Sequence, residues 1–316
     1  MREAVRIGVV GATGAVGRIT LALLAERGYQ AVRAFASARS AGTRLPFGHR
    51  QLAVEEATPE ALSAGNLDLC FFSVGTSASR ALVPHALEGG AVCVDKSSAY
   101  RLQDGVPLVV PEVNGHRARE HAGVVANPNC CTIPLTCVLK PLLDAAGLAR
   151  VRVATYQSVS GAGAQAMARL SEEPPAEHDL RMDWDFDGVE LDEEAKIRAE
   201  ARKILELPEL PVSATCVRVP VLVGHAEAVW VETEEPLDPD QARELLARAP
   251  GLRVDDFPTP SKAAGKDEIL VGRIRRDSTV ENGLCLFLAA DNLRKGAALN
   301  AIQIGELLLE RELLPV

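Results

Sequence analysis

Val5-Arg6-Ile7-Gly8-Val9-Val10-Gly11-Ala12-Thr13-Gly14-Ala15-Val16-Gly17 is the stretch that decides the fold of this chain. The apolar, β-branched run to Val10 predicts a strand, and a helical pattern follows through Leu24. Between them stands Gly-x-x-Gly-x-x-Gly. In a strand–turn–helix context, such glycines permit a tight turn and close approach of backbone to a pyrophosphate. The helix N-terminus adds positive potential there. Gly11 and Gly14 are the first candidate cofactor contacts. An ordinary βα turn could also carry this spacing, so the next strand matters.

That strand, residues 31–36, ends at Ser37-Ala38-Arg39-Ser40. A site for NAD usually places Asp or Glu here to hold the ribose 2′-OH. Ser37, Arg39 and Ser40 instead suit a 2′-phosphate, which predicts NADP. Strand-like runs recur at 67–73, 91–95, 108–110 and 123–126, with a helical pattern at 78–88. This alternation predicts an α/β fold: an N-terminal Rossmann-like doubly wound sheet. Ligands in such sheets bind beyond the carboxyl ends of strands. Ser73-Val74-Gly75-Thr76 lies at one such end, which makes Gly75 a cofactor candidate. Asn127-Pro128-Asn129-Cys130-Cys131-Thr132 lies at another. Its thiol is placed where a strand gives way to a helix, a setting that favours thiolate, and it is expected to face the cofactor crevice.

Bulk properties bound the function. A chain of 316 residues with 47% hydrophobic residues has room for two domains. The net charge of −9 argues against nucleic acid as a partner. No apolar run reaches bilayer length, and Met1-Arg2-Glu3-Ala4 leads directly toward the first strand without a signal-peptide core. Seven cysteines without a Cys-x-x-Cys pair point to a reduced, cytoplasmic protein with no disulfide framework and no metal site.

In the second half the pattern changes to α+β. Residues 151–159 read as a strand containing Gln157, broken at Ser160-Gly161-Ala162-Gly163. A helical stretch carries Glu193 and Lys196 on one face, a spacing that by itself describes a solvated ion pair. The apolar run 216–227 reads as sheet and contains Arg218 and His225. An arginine among β-branched residues needs an anionic partner. A lone histidine there is commonly a satisfied core residue, but with a thiolate candidate it supplies acid–base chemistry near neutrality. The stretch from Asp291-Asn292 opens a helix to about Glu312, expected to return to the first domain.

These residues resemble the aspartate-β-semialdehyde dehydrogenase family over nearly the whole chain. The motifs that carry the resemblance occur in family order. They include Gly11 to Gly17, Ala36 to Gly42, Ser97 to Arg101, Asn127-Pro128-Asn129-Cys130, Tyr156 to Gly163, Glu193 to Lys196, Arg218 to His225, and Asp291 to Ala298. The resemblance implies that Cys130 is the nucleophile, His225 the acid–base residue and Gln157 an active-site glutamine. It gives Arg218 and Glu193 the substrate's α-carboxylate and amino groups, Arg101 and Lys196 the phosphate, and places Asn129 with the substrate binders. Thr13, Ala15, Val16, Ser160, Gly161 and Asn292 join the cofactor contacts. The implied reaction is NADPH-dependent reductive dephosphorylation of aspartyl phosphate through a cysteine thioester, in lysine, threonine and methionine biosynthesis. A homodimer or dimer of dimers is implied as well. The expected domains are 1–129 with about 292–316, and 130–291, the latter for catalysis and dimerisation.

Three features depart from the family pattern. Lys96 replaces a usual Asn, Pro134 follows closely behind the thiol, and residues 171–191 are short and acidic, with Asp183, Asp185 and Asp187. Two rivals remain at this level. A malonyl-CoA reductase uses the same thioester chemistry but needs no amino-group binder, so Glu193 speaks for the aspartyl substrate. A catalytically inactive NADP-binding paralogue would lack the thiol or the histidine, and both are present. N-acetyl-γ-glutamyl-phosphate reductase typically sets its cysteine in Pro-Gly-Cys, unlike Pro128-Asn129-Cys130.

Overall fold

The structure, a computed structural model, describes residues 4–173 and 177–314. Residues 1–3 of the expected lead-in, 174–176 of the acidic stretch and 315–316 of the C-terminal segment lie outside the described residues. The chain divides into two compact units, Met1–Pro128 with Ala297–Val316, and Asn129–Gly296.

In the first unit seven strands form one sheet: β1 (Ile7–Val10), β2 (Val32–Ala36), β3 (Arg44–Phe47), β4 (Arg50–Glu56), β5 (Leu69–Phe72), β6 (Val92–Asp95) and β7 (Val124–Ala126). Their order is β3-β4-β2-β1-β5-β6-β7. β1 runs parallel to both β2 and β5, and the parallel pairing continues through β6 to β7. All four residues of β1 are buried, as expected of a parallel strand covered on both faces. This is the expected doubly wound sheet. The helix Ala15–Glu26 follows the glycine turn. Gly11 has φ 85°, and a Cβ there would lie 2.4 Å from the Ser73 carbonyl oxygen. A Cβ on Gly17 would lie 2.2 Å from the Gly11 oxygen. Both positions therefore demand glycine, for the turn and for helix–strand contact.

Two expectations are corrected in this unit, and one hairpin had no expectation attached to it. Residues 108–110 form no strand, and Leu108 makes only an isolated bridge to Ala126. Pro107 and Pro111 flank the run and withhold ladder donors. The antiparallel β3–β4 hairpin at the edge was not expected, because its outward residues are polar and Pro46 sits within it. The last helix spans Leu299–Glu310 rather than starting near Asn292, and a π-helical turn, Arg294–Ala298, precedes it. As expected, this helix joins the first unit: Leu299, Ile302, Ile304 and Leu308 share a core with Ile7 and Val9.

The second unit holds a six-stranded mixed sheet: β8 (Arg150–Gln157), β9 (Val212–Arg218), β10 (His225–Glu232), β11 (Leu252–Val254), β12 (Ile269–Asp277) and β13 (Gly283–Ala290), in the order β11-β12-β13-β10-β8-β9. The run 216–227 is not one strand. β9 ends at Arg218, and β10 begins at His225. Between them Pro220 removes a donor and Gly224 adopts φ 95°. Along β8, buried Val151, Val153, Thr155 and Gln157 alternate with more exposed Arg152, Ala154 and Tyr156, so one face belongs to the interior. The helices Thr132–Ala146 and Asp192–Leu205 belong to this unit. The first starts at Thr132, which puts Pro134 in its first turn, where the missing N–H is harmless.

Candidate active site

The interior face of the six-stranded sheet sets out the polar chemistry in rows. Ala226 faces Tyr156 across β10 and β8, and Gln157 faces Arg218 across β8 and β9. His225, Gln157 and Arg218 thus line up on three adjacent strands. The next row inward holds Glu227, Thr155 and Cys216. The loop before the helix Thr132–Ala146 supplies the thiol. Cys130 Sγ lies 3.3 Å from His225 Nε2.

Asn129 shapes that loop. Its Oδ1 accepts from the Cys131 N–H at 2.8 Å, closing a turn around Cys130. Its own N–H donates to Glu200 Oε2 at 2.6 Å, and Nδ2 donates to Glu193 Oε1 at 2.9 Å. Glu193 and Glu200 stand seven residues apart, two turns on one face of the helix Asp192–Leu205. Gln157 Nε2 donates to the same Glu193 oxygen at 2.9 Å. From the other side Gly296 approaches so closely that an added Cβ would lie 3.1 Å from Cys130 Cβ.

The thiols divide by environment. All seven cysteines are free; six are buried, and Cys130 is the half-exposed one. Burial pushes the Cys131 thiol well up, and Cys130 beside it adds to the effect. Cys131 is therefore held as a neutral thiol that packs at the nucleophile's side.

The proton on His225 can be located. The Ser158 amide N–H donates to Nδ1 at 2.9 Å. An amide N–H only donates, so Nδ1 carries the lone pair, and in the neutral ring the proton sits on Nε2, facing Cys130. The ligand atoms of Cys130, Cys131 and His225 all lie within 4.8 Å of one another, a spacing a metal ion can use. This tautomer, however, offers the thiols an N–H rather than a lone pair, which fits a thiolate–imidazole pair better than a metal centre.

The surrounding shell is tightly bonded. Asn292 Oδ1 accepts from Ser158 Oγ and Ser160 Oγ, each at 3.1 Å, and from the Gly224 N–H at 2.9 Å. A Cβ on Gly161 would lie 3.4 Å from both Arg218 Nη1 and His225 Nε2, so the backbone here runs directly beside both side chains. Glu227 is fully buried, and neither of its oxygens has a hydrogen-bond partner among the described residues. Burial first, and then Cys130, push its carboxyl well up, so it is held as the neutral acid.

The structure brings together Cys130, His225, Gln157, Asn129, Glu193, Arg218, Ser160, Gly161 and Asn292. Lys196 lies at the margin: its Nζ donates to Asp192 at 2.5 Å and stands 4.0 Å from Glu193. Glu193 is buried, which corrects the picture of a solvated Glu193–Lys196 pair. Arg101 and the residues around Gly11, Ser37 to Ser40 and Gly75 belong to the first unit. There Arg101 donates to the carbonyls of Asn127 (3.0 Å) and Lys96 (2.5 Å), while Ser37 and Arg39 are exposed at a 3₁₀ turn just after β2. Sequence reasoning missed Ser158, Glu200, Glu227 and Asp183. The demand of Arg218 for an anion was the one available signal for Asp183, which meets it at 2.8 Å.

A glycine-cradled doubly wound sheet joined to a second unit with a polar sheet face defines a class, the NAD(P)-binding oxidoreductases of two-unit build. Residues 6–121 match the family described as semialdehyde dehydrogenase, NAD binding domain, and residues 139–295 match semialdehyde dehydrogenase, dimerisation domain. An aspartate-semialdehyde dehydrogenase of Corynebacterium glutamicum is 45% identical, over 96% of this chain and 99% of that one. The structure of aspartate semialdehyde dehydrogenase II from Vibrio cholerae, complexed with ASA, superposes with a TM-score of 0.92 at 38% identity, covering 97% of this chain and 98% of the other. The Candida albicans enzyme with NADP gives a TM-score of 0.80 at 25% identity, over 98% and 99% of the two chains. The chain belongs to the aspartate-semialdehyde dehydrogenase family. Among the described residues no helix is long and apolar enough to cross a membrane.

Proposed function

We propose that the protein catalyses NADPH-dependent reductive dephosphorylation of L-aspartyl-4-phosphate to L-aspartate-4-semialdehyde, a step feeding lysine, threonine and methionine biosynthesis. The observation that carries this reading is the 3.3 Å Cys130–His225 pair, in one row with Gln157 and Arg218. Cys130 attacks the acyl carbonyl as thiolate and expels phosphate, leaving a thioester. His225 Nε2–H donates to the thiolate and to the negative charge that develops when the carbonyl is attacked. Gln157 and Asn129 orient Glu193, and Arg218 offers its planar fork to the far carboxylate. Arg101 and Lys196 are assigned to the phosphate.

Gly11, Thr13, Gly14, Ala15, Val16 and Gly75 are assigned to the dinucleotide, with Ser160, Gly161 and Asn292 from the second unit. The fit rests on the glycine turn itself: Gly11 has φ 85°, Gly17 packs on the Gly11 carbonyl, and the turn leads straight into the N-terminus of the helix Ala15–Glu26. Bound NADPH supplies the hydride that reduces the thioester; collapse of the product hemithioacetal then returns Cys130 as thiolate. Ser37, Arg39 and Ser40, with no acidic residue at the end of β2, favour NADP over NAD, and the Candida albicans relative was solved with NADP.

The test is a phosphate-dependent assay of the purified protein with aspartate semialdehyde. Absorbance of NADPH should rise only when phosphate is present, and NAD should serve less efficiently than NADP. Failure of this reaction together with NADPH oxidation by malonyl-CoA would reverse the substrate assignment. Equal efficiency with NAD would remove the role of Arg39.

A homodimer belongs to the same proposal. The outward face of the six-stranded sheet carries Tyr156 (38% exposed), Phe287 and Trp230, with the Tyr156 and Phe287 rings 6.1 Å apart. Tyr156 is exposed while Phe287 and Trp230 are half-buried, and part-exposed aromatic side chains grouped on one sheet face mark a contact surface. Trp230→Arg is expected to shift the protein to monomer in sedimentation experiments, and a dimer unaffected by it would move the contact elsewhere.

A further inference from the structure

Two hydrogen bonds at Asn129 give the turn that carries Cys130 its shape. Asn129 Oδ1 accepts from the Cys131 N–H at 2.8 Å, and the Asn129 carbonyl accepts from the Ile133 N–H at 3.0 Å. Two more tie the turn to the helix Asp192–Leu205. Glu193 Oε1 accepts from Asn129 Nδ2 at 2.9 Å, and Glu200 Oε2 accepts from the Asn129 backbone N–H at 2.6 Å. The two ties differ in kind. Glu193 holds a side chain, accepts from Gln157 through the same oxygen and is assigned to the substrate's amino group, so it serves ligand and loop together. Glu200 holds the main chain itself, one residue before the nucleophile, and at 1% exposure it lies out of a substrate's reach.

Asn129 is buried, and a buried amide N–H that loses its acceptor is costly enough for the backbone to shift in search of another. Any such shift is passed on directly to Cys130, the next residue. Attack on a carbonyl is strict about geometry: a displacement of about 1 Å can cost about 10²-fold in rate. We infer that Glu200 is a positioning residue, which through the Asn129 N–H fixes where the Cys130 sulfur meets the reacting carbonyl and leaves substrate binding to other side chains. What matters on this account is the reach of the side chain, which puts an acceptor oxygen at the Asn129 N–H. The role presupposes the proposed function of Cys130 as nucleophile and leaves the assignment of Glu193 to the amino group as it stands.

Two substitutions in the full-length protein separate reach from acidity. Glu200→Asp keeps the acid and draws it back by one methylene, away from the Asn129 N–H. Glu200→Gln keeps the reach and an acceptor oxygen and gives up the acid. Each variant is read by kcat and KM in the phosphate-dependent assay and by the rate at which iodoacetamide alkylates Cys130. Glu200→Asp should lower kcat about 10- to 100-fold, as a misplaced nucleophile implies. Its KM for aldehyde and for phosphate should stay within about threefold, because no binding contact is lost. Glu200→Gln should keep kcat within roughly a few-fold of the parent, since its carbonyl still accepts from the amide. Iodoacetamide needs a thiolate but no aligned acyl group, so both variants should be alkylated at close to the parent's rate. A parent-like kcat in Glu200→Asp overturns the inference. So does a loss of about tenfold or more in Glu200→Gln, which would make the acid itself the requirement and decides the matter even where Glu200→Asp does not fold. A loss carried by KM, or one matched by slower alkylation, overturns it as well, because substrate binding or the thiolate would then be at fault. Activity retained in Cys130→Ser would instead remove the nucleophile assignment; with that variant inactive, the Glu200 results judge the positioning role alone.

Discussion

Cys130→Ser is expected to abolish nearly all phosphate-dependent NADPH formation, a loss of several orders of magnitude, because it removes the covalent step. The fold places only this thiol for the task. Cys130 is half-exposed, meets an imidazole N–H at 3.3 Å and precedes a 15-residue helix whose N-terminus favours negative charge. Serine would keep the geometry and lose the easily formed anion. Cys131→Ser is the control, and it should stay within a few-fold of the parent. The Cys131 sulfur is fully buried and held neutral, and its backbone N–H, which bonds Asn129, survives the exchange. Rates are read under saturating substrate, with circular dichroism to confirm folding. Comparable activity in Cys130→Ser, or an equal collapse in Cys131→Ser, would transfer the nucleophile's role or dissolve it.

The first unit was legible because its strands are buried on both faces and read as short apolar runs between helices. That same logic misread residues 108–110. They are buried like a strand, but prolines on either side leave a single bridge. The hairpin Arg44–Glu56 escaped because an edge strand with one wet face carries no continuous apolar signal. The site was less legible. Cys130 and His225 lie 95 residues apart, and no local pattern pairs them; only the resemblance did. The rows of His225, Gln157 and Arg218 follow from strand register, which a sequence does not print when two strands are separated by other elements. Asp183 lies on an exposed acidic strap where one carboxylate looks like the next. Its pairing with Arg218 depends on the bridge between Arg181 and Arg218. Glu227 stood in a stretch singled out for its neighbours, yet nothing about its type announces a carboxyl buried without a partner.

His225 carries the second large effect, and its tautomer decides what kind of loss to expect. His225→Ala should lower kcat/KM about 10²- to 10⁴-fold, the usual range for removing a proton-transfer or hydrogen-bonding catalyst. Two amide replacements separate the functions of the ring. His225→Asn carries a carbonyl near the position of Nδ1, so it keeps an acceptor for the Ser158 N–H and loses the group that faces Cys130. His225→Gln extends an N–H toward the position of Nε2 and gives up the inner acceptor. If the ring works as a donor to the thiolate and to the developing oxyanion, glutamine should recover at least about tenfold over alanine, as one restored donor to a charge implies. Asparagine should recover little. The opposite order would mean that holding Ser158 in place matters more than donation. Equal losses in both would point to a proton that His225 must accept and give up, which neither amide can do. In that case the Ser158 N–H bond to Nδ1 would have to break during turnover, since a ring that accepts a proton from Cys130 through Nε2 must first carry one on Nδ1.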